Sequence, residues 1–257
     1  MKNFREDLNF LRNKKIGNLE KDIIRDLTYS YQTPSVKEKG LARTYFEMGI
    51  VYLMLKDFSQ AKLSFNNSLS YATKWFDIVY PNYLIKNDIY GGTVAWRISD
   101  FLHRLFFSGD IKIIQQYCEK VLKIPFQDEG DINICYHQKN CAYSNLALNN
   151  LRIDDYFQYF NNHRNKQPPE LDCPRGLETI LNGIMKKNRK QILEGLNYAF
   201  KKYNRGYRRE EEYPIYPDAC SIIILAKMND VDIMASDIDI KYQKHISIYF
   251  DNIFLLK

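Results

Sequence analysis

The chain has 257 residues, 45% of them hydrophobic and 14% aromatic, with a formal net charge of +6. That apolar content can fill a sizeable core and excludes an intrinsically disordered chain. The cationic excess is mild, too small to imply nucleic acid unless it is clustered.

Cysteine usage narrows the class further. The five cysteines, Cys118, Cys135, Cys141, Cys173 and Cys220, are odd in number and contain no C-x2-C pair. Neither a disulfide framework nor a zinc site is indicated, and buried thiols in a reducing compartment are the simplest account. The N-terminal stretch is charged throughout, and no apolar run is long enough for a membrane span. The expectation is a cytoplasmic protein with no membrane contact.

Taken in order, residues 3 to 30 read as helix. Phe4, Leu8 and Leu11 share a face, and Leu19, Ile23, Ile24 and Leu27 continue the stripe after a break near Gly17. Thr33-Pro34-Ser35 is a turn followed by a helix start. The next stretch, Tyr45-x2-Met48-Gly49-x2-Tyr52 followed by Phe58-x2-Ala61-x3-Phe65-x2-Ser68-Leu69, is the most informative. Tyr45, Met48 and Tyr52 fall on one face of a first helix; Phe58, Ala61, Phe65 and Leu69 fall on one face of a second. Gly49 and Ala61 are small enough to let two antiparallel helices cross closely. The pattern resembles one tetratricopeptide (TPR) hairpin over about 36 to 75, with Lys56-Asp57 as its inner turn. Such a hairpin cannot bury its apolar face alone, so it implies neighbours of the same kind.

Pro81 reads as the start of a further segment, broken by Gly91-Gly92. Residues 93 to 107 form a helix with Trp96, Leu102, Leu105 and Phe106 apolar. Ser108-Gly109-Asp110 makes a turn in which Asp110 is the N-cap of the returning helix, Ile111 to Leu122. After the loop 124 to 131, a third pair is expected at about 132 to 149 and 153 to 163, turning near Leu151-Arg152. The linker 165 to 175, with Pro168, Pro169 and Pro174, is the strongest internal boundary in what otherwise reads as one domain of residues 1 to 257. A fourth pair, about 175 to 187 and 189 to 205, turns at Lys187-Asn188. Pro214 and Pro217 then restart the chain into an apolar helix, Ala219 to Met228. The tail 231 to 248 carries β-branched residues in loose alternation and reads either as a short strand or as an irregular or helical tail on the stack. With only 11 Gly and 8 Pro, the fold class is all-α: a TPR-like helical-hairpin stack, an α-α superhelix.

Catalytic motifs are missing. There is no nucleotide-binding glycine loop and no nucleophile elbow, and His103, His137, His163 and His245 lack metal-motif spacing. Cys135 and His137, two residues apart on one helix, face away from each other. The reading is no catalytic residue, no cofactor and no metal. Two charged regions say more. Lys186, Lys187, Arg189, Lys190, Lys201, Lys202, Arg205, Arg208 and Arg209 form a basic concentration, followed by Glu210, Glu211 and Glu212; it is either an anion-binding face or a solvated helix face. Asp128, Glu129 and Asp131 lie in a loop, with Asp154 and Asp155 at a nearby repeat turn and Tyr156 and Tyr159 beside them as aromatic anchors. Loops on one edge of a helical stack cluster, so this edge suits a cationic surface such as the substrate cleft of a nuclease; an ordinary solvated loop with a helix N-cap is the plainer reading.

The C-terminal third adds a resemblance. Residues 175 to 257 run from a short helix and turn into a long helix ending Tyr203-x-Arg205-Gly206-Tyr207-Arg208-Arg209. An acidic, Pro-containing loop follows, then an apolar helix ending Leu225-Ala226-Lys227 before Asp230-Val231-Asp232. This order resembles the immunity protein 49 family of bacterial polymorphic toxin systems. The resemblance implies an all-helical, non-enzymatic cytoplasmic antitoxin that binds a cognate toxin domain by covering its active site. It carries no catalytic residues over. Kept beside it are a TPR-like adaptor binding a peptide in a concave groove near Asn66 and Asn67, and, ranked behind both, a nucleic-acid binder using 186 to 209. A homodimer stays open.

Overall fold

The computed structural model describes residues 15–28, 34–85, 94–125, 131–150, 153, 176–203, 215–243 and 246. The fold class expected from the sequence is observed: helices packed on helices, with no strand among the described residues.

Helix α1 (Gly17–Thr28) lies against α2 (Pro34–Met54). Its buried row is Leu19, Ile23 and Asp26, at helical spacing, with Ile16 buried just before it. Ile24 and Leu27, expected in that row, are 61% and 45% exposed. Each sits one position past a residue that meets α2, and one position is about 100° of rotation.

Helices α2 and α3 (Phe58–Leu84) form the hairpin expected from the TPR-like pattern. Pro34 opens α2, where a missing N–H costs nothing. At the inner turn Lys56 is left-handed, with φ 60°, and the Asp57 carboxylate accepts from the Gln60 N–H at 3.1 Å. The helices cross at Gly49, where an added Cβ would lie 2.6 Å from Phe65 Cε1. Ser68 Oγ locks the crossing by donating to the Ala42 carbonyl at 2.7 Å. α2 is buried on two sides. Ala42, Phe46, Ile50 and Leu53 belong to the main core, and Leu41, Met48 and Val51 meet Ile16, Leu19 and Ile23 of α1, with Tyr45 and Tyr52 packed alongside. Pro81 does not begin a new segment. It lies inside α3 near its end, where its fixed φ is already helical and only one N–H bond is lost. Burial of Val79 and Tyr83 on either side holds that last turn in place.

Helices α4 (Val94–Ser108) and α5 (Ile111–Val121) form the second pair. Gly109 takes φ 69° in the turn, and Asp110 caps α5 by accepting from the Ile113 N–H at 3.1 Å. Contacts joining Lys39 to Trp96 and Phe46 to Phe107 advance in the same direction, so α2 and α4 run parallel, as first helices of successive hairpins do. Helix α6 (Asp131–Ala147) packs on α4 and α5. It ends in a turn at Leu148 and Asn149, the latter at φ 53°, slightly before the expected Leu151-Arg152. The returning helix expected at 153 to 163 and the linker 165 to 175 lie outside the described residues, apart from Ile153, which is buried.

Helices α7 (Leu177–Met185) and α8 (Arg189–Tyr203) turn at Lys187-Asn188 as expected. Lys187 takes φ 50°, and the Asn188 side chain accepts from the Gln191 N–H at 3.2 Å. Helix α9 (Pro217–Met228) is buried over every residue from Asp218 to Ala226. It needs apolar side chains all round because it meets α4 and α6 on one side and α7 and α8 on the other. In the tail, Val231, Ile233, Ala235 and Ile238 are buried while Met234 is half exposed. The in-and-out alternation is real, but among the described residues no second strand lies beside it. The segment is irregular, then a 3-10 turn (Ala235–Asp237) and the short α10 (Ile240–Gln243).

Candidate functional site

The interface residues expected at the acidic edge, Asp128, Glu129, Asp154, Asp155, Tyr156 and Tyr159, lie outside the described residues. Asp131 is the first residue of α6, and its side chain also lies outside them.

The basic concentration is partly described. Lys187 pairs with Asp230 at 3.0 Å, and Arg189 pairs with Asp237. That contact and the Met234 N–H hold the Asp237 carboxyl below its usual range against the opposing effect of burial. The tail therefore offsets two of these cations, leaving Lys186, Lys190 and Lys201 exposed on the same hairpin. Pairing on this scale fits a solvated helix face better than a continuous phosphate track.

The densest polar chemistry is inside the stack, where α4, α6 and α9 meet. Asp218 of α9 faces Lys139 of α6, with Oδ1 3.0 Å from Nζ. Tyr143 donates its hydroxyl to the same oxygen at 3.4 Å, and His103 Nε2 of α4 lies 3.5 Å from it. His103 Nδ1 is 3.0 Å from Ser221 Oγ, which itself lies 3.0 Å from the Pro217 carbonyl. Lys139 is 1% exposed, and its ammonium also lies over the Tyr136 and Tyr143 rings at 5.1 and 5.8 Å. Burial alone would raise the Asp218 pKa, but Lys139 and His103, with the hydrogen bonds from Lys139 and Tyr143, hold it below the ordinary carboxylate value. Burial pushes the His103 pKa down, helped by Lys139 and Arg104 and opposed by Asp218 and Asp100.

A serine, a histidine and an aspartate in line invite a catalytic reading. Two features oppose it. Ser221 is fully buried, as is every residue of α9 around it, so no reacting carbonyl can reach it. The Pro217 carbonyl also competes with the imidazole for the hydroxyl proton, whereas a nucleophile needs that proton delivered to the base. What the cluster does is key one face of α9 to α4 and α6. At the other end of α9, Asn229 Nδ2 donates to the Leu146 carbonyl at 3.0 Å. Two buried thiols are no more reactive: burial pushes Cys118 up to about 12 and Cys220 higher still. His137 Nε2 lies 3.6 Å from Cys141 Sγ, one turn along α6. Among the described residues, no group of three His, Cys, Asp or Glu side chains could hold a metal ion, and no helix is long and apolar enough to cross a membrane.

The His103 environment gives a pH prediction. Its folded pKa lies below the unfolded value near 6.5, so the unfolded chain binds the proton first as pH falls. Stability is full above the unfolded pKa and declines below it, with a slope of at most about 1.4 kcal/mol per pH unit for this one group. Urea denaturation at pH 7.5 and 5.5 should show the decline in the wild type and a flatter response in His103→Gln. Equal slopes would remove His103 as the cause.

On the outside, α2 and α4 present an exposed indole with the half-buried Lys39 beside it, while Arg104 is buried. Trp96, one of the four apolar residues noted on α4, is 47% exposed, whereas Leu102, Leu105 and Phe106 are buried. The Lys39 ammonium lies 5.8 Å from its ring. Arg43 pairs with Glu47 at 2.8 Å along α2, and Arg104 with Asp100 at 2.7 Å along α4. Burial holds the Lys39 pKa below its usual value; Arg97, Arg104 and Arg43 lower it further, and Asp100 opposes them. This contact was not legible in the sequence because its two helices are separated by the whole of α3. Comparison of the chain with protein-family models, with curated proteins and with solved structures gave no match to any of them.

Proposed function

We propose that this chain is a non-enzymatic protein-binding scaffold, and that it acts in the cytoplasm as an immunity protein that neutralises a cognate toxin domain, by occluding that domain's active site. The observation that carries the binding reading is the distribution of chemistry. Side chains of catalytic type are shut between α4, α6 and α9, whereas an indole and cations face outward on the hairpins. The narrower reading, toxin neutralisation, is supported by the resemblance of residues 175 to 257 to the immunity protein 49 family. The acidic edge, Asp128, Glu129, Asp131, Asp154 and Asp155 with Tyr156 and Tyr159, is the proposed contact for a cationic cleft.

The alternative is an adaptor with a peptide in a groove near Asn66 and Asn67 of α3, where Asn66 is exposed and Asn67 half-buried. The test is to co-express the C-terminal domain encoded by the gene immediately upstream. Toxicity of that domain alone, growth restored by this chain, and a stable complex are expected. A harmless neighbour that does not co-purify would end the immunity reading. Within a complex, Tyr156→Ala or Tyr159→Ala should cost about 2 kcal/mol if either is a true anchor. Reversing Asp128, Glu129 and Asp155 together should weaken binding and its salt dependence; unchanged affinity would exclude this edge.

A further inference from the structure

We infer that His103 works as a proton-operated latch: uptake of one proton at its Nε2 opens the first turns of α9 away from α4 and α6, while the rest of the helix stays held. The proton already on the ring fixes where the second must go. Ser221 Oγ lies 3.0 Å from the Pro217 carbonyl one turn back and 3.0 Å from His103 Nδ1. With its hydroxyl proton given to that carbonyl, Oγ accepts from Nδ1–H. The open lone pair is then on Nε2, which faces Asp218 Oδ1 at 3.5 Å.

That oxygen has no place for a third donor. It lies 3.0 Å from Lys139 Nζ and 3.4 Å from the Tyr143 hydroxyl, and a carboxylate oxygen offers about two lone-pair sites. A proton on Nε2 adds a competing donor there and sets a second cation beside Lys139. The charged groups acting on His103 are Asp218 of α9, Lys139 of α6, and Asp100 and Arg104 of α4 itself. Asp100 and Arg104 pair with each other at 2.7 Å, and Asp218 and Lys139 pair at 3.0 Å. An imidazolium is therefore one charge in excess, with the His103 side chain 14% exposed and that of Asp218 9% exposed. Opening lets water reach it, which a closed site denies.

The other holds on α9 do not depend on charge. Asn229 Nδ2 donates to the Leu146 carbonyl at 3.0 Å, and Tyr216 packs edge-on against the Phe200 ring at 5.7 Å. Opening is thus confined to the side of Asp218, Cys220 and Ser221 that faces α4 and α6. Burial makes the closed site bind the His103 proton less readily than the open one. Closure is at full strength above about pH 6.5 and weakens as the pH falls below it. Asp218 stays ionised through this range, because its carboxyl is held below the ordinary value.

Cys220 is the reporter. It is fully buried in the stretch that opens, and Cys118 of α5, also fully buried, lies outside that stretch. The full chain is treated at about pH 7.5 and about pH 5.5 with a pyridyl disulfide, which reacts with thiols in mild acid, and each cysteine is quantified by peptide mass spectrometry. The expected result is a several-fold rise in the ratio of Cys220 to Cys118 labelling at the lower pH. Its ceiling is about tenfold, the limit for one group with an open-state pKa near 6.5. The ratio should be flat in His103→Gln, with His103→Asn as the second variant should the first fail to fold. An unchanged ratio in the wild type would overturn the latch. So would both thiols rising together, which is unfolding of the whole stack, and so would an equal rise in the His103 variants, which assigns the response to another group. The wild-type comparison of the two thiols decides the point even if neither variant folds.

Discussion

Replacing Lys139 by Met should destabilise the fold by about 3–5 kcal/mol at neutral pH. The methionine fills much the same volume, so the loss is electrostatic. Asp218 would keep a buried carboxylate with only the Tyr143 hydroxyl and the more distant His103 ring as donors. Changing Asp218 to Asn in the same chain removes the stranded charge and should recover a large part of that loss, because a buried ion pair gives little net stability over a neutral replacement. Chemical denaturation of the two single variants and the double variant gives the coupling directly. A single-variant loss below about 1 kcal/mol, or a double variant equal to the sum of the singles, would mean that the pair is not the key holding α9 against α4 and α6. Local opening should follow the same order: amide exchange along α9 should quicken in Lys139→Met before exchange in the α2–α3 hairpin does.

The second large effect is expected at the crossing of α2 and α3. Phe65 is 2% exposed and packs against both Phe46 and Phe107, at ring distances of 5.6 and 5.4 Å. Truncation to Ala should cost about 3–5 kcal/mol. Gly49→Ala alone forces a methyl group into the Phe65 ring, where three ring atoms lie within 2.9 Å of the new Cβ, and should cost about 1–3 kcal/mol through overpacking. In the Phe65→Ala background that clash is gone. There the same substitution should be neutral or gain up to about 1 kcal/mol from the better helix propensity of Ala. A change of sign between backgrounds is the signature of a steric contact. The same Gly49 penalty in both would show that the glycine is needed for some other reason.

These two sites mark what could and could not be read in advance. The Gly49–Phe65 crossing was legible because helical spacing, a small residue and a ring in a short window say which faces meet. The turns at Asp57, Asp110 and Lys187-Asn188 were legible for a similar reason, since capping and left-handed residues act within a few positions. Pro81 was misread because a strong local breaker was weighed without the burial of Val79 and Tyr83 beside it. The β-branched alternation of 231 to 248 left a strand and an irregular or helical tail both open; over the described residues it is the irregular and helical tail, because a strand needs a neighbour that no local pattern can supply.

Among candidate functional residues the division is sharper. The acidic edge was chosen from charge and loop position, and its residues lie outside the described structure apart from the backbone of Asp131. The basic run 186 to 209 was visible as composition, but its acidic partners Asp230 and Asp237 come from the tail. His103 was set aside for want of a partner at motif spacing. Its partners were present all along, 118 residues away at Ser221 and on the first turn of α9 at Asp218.

By itself the sequence determined that this chain is helical, where its described hairpins turn and cap, and that a close crossing occurs at Gly49. Those properties depend on backbone preference and on periodicity over a few turns. Only the tertiary structure decided which residues of each apolar stripe are covered, that Trp96 and Lys39 share a surface, and that Lys139 and Asp218, 79 residues apart, form a buried pair. The physical reason is that burial and charge pairing are set by which helices are neighbours, and helices separated by whole hairpins leave no spacing in the chain by which to recognise one another.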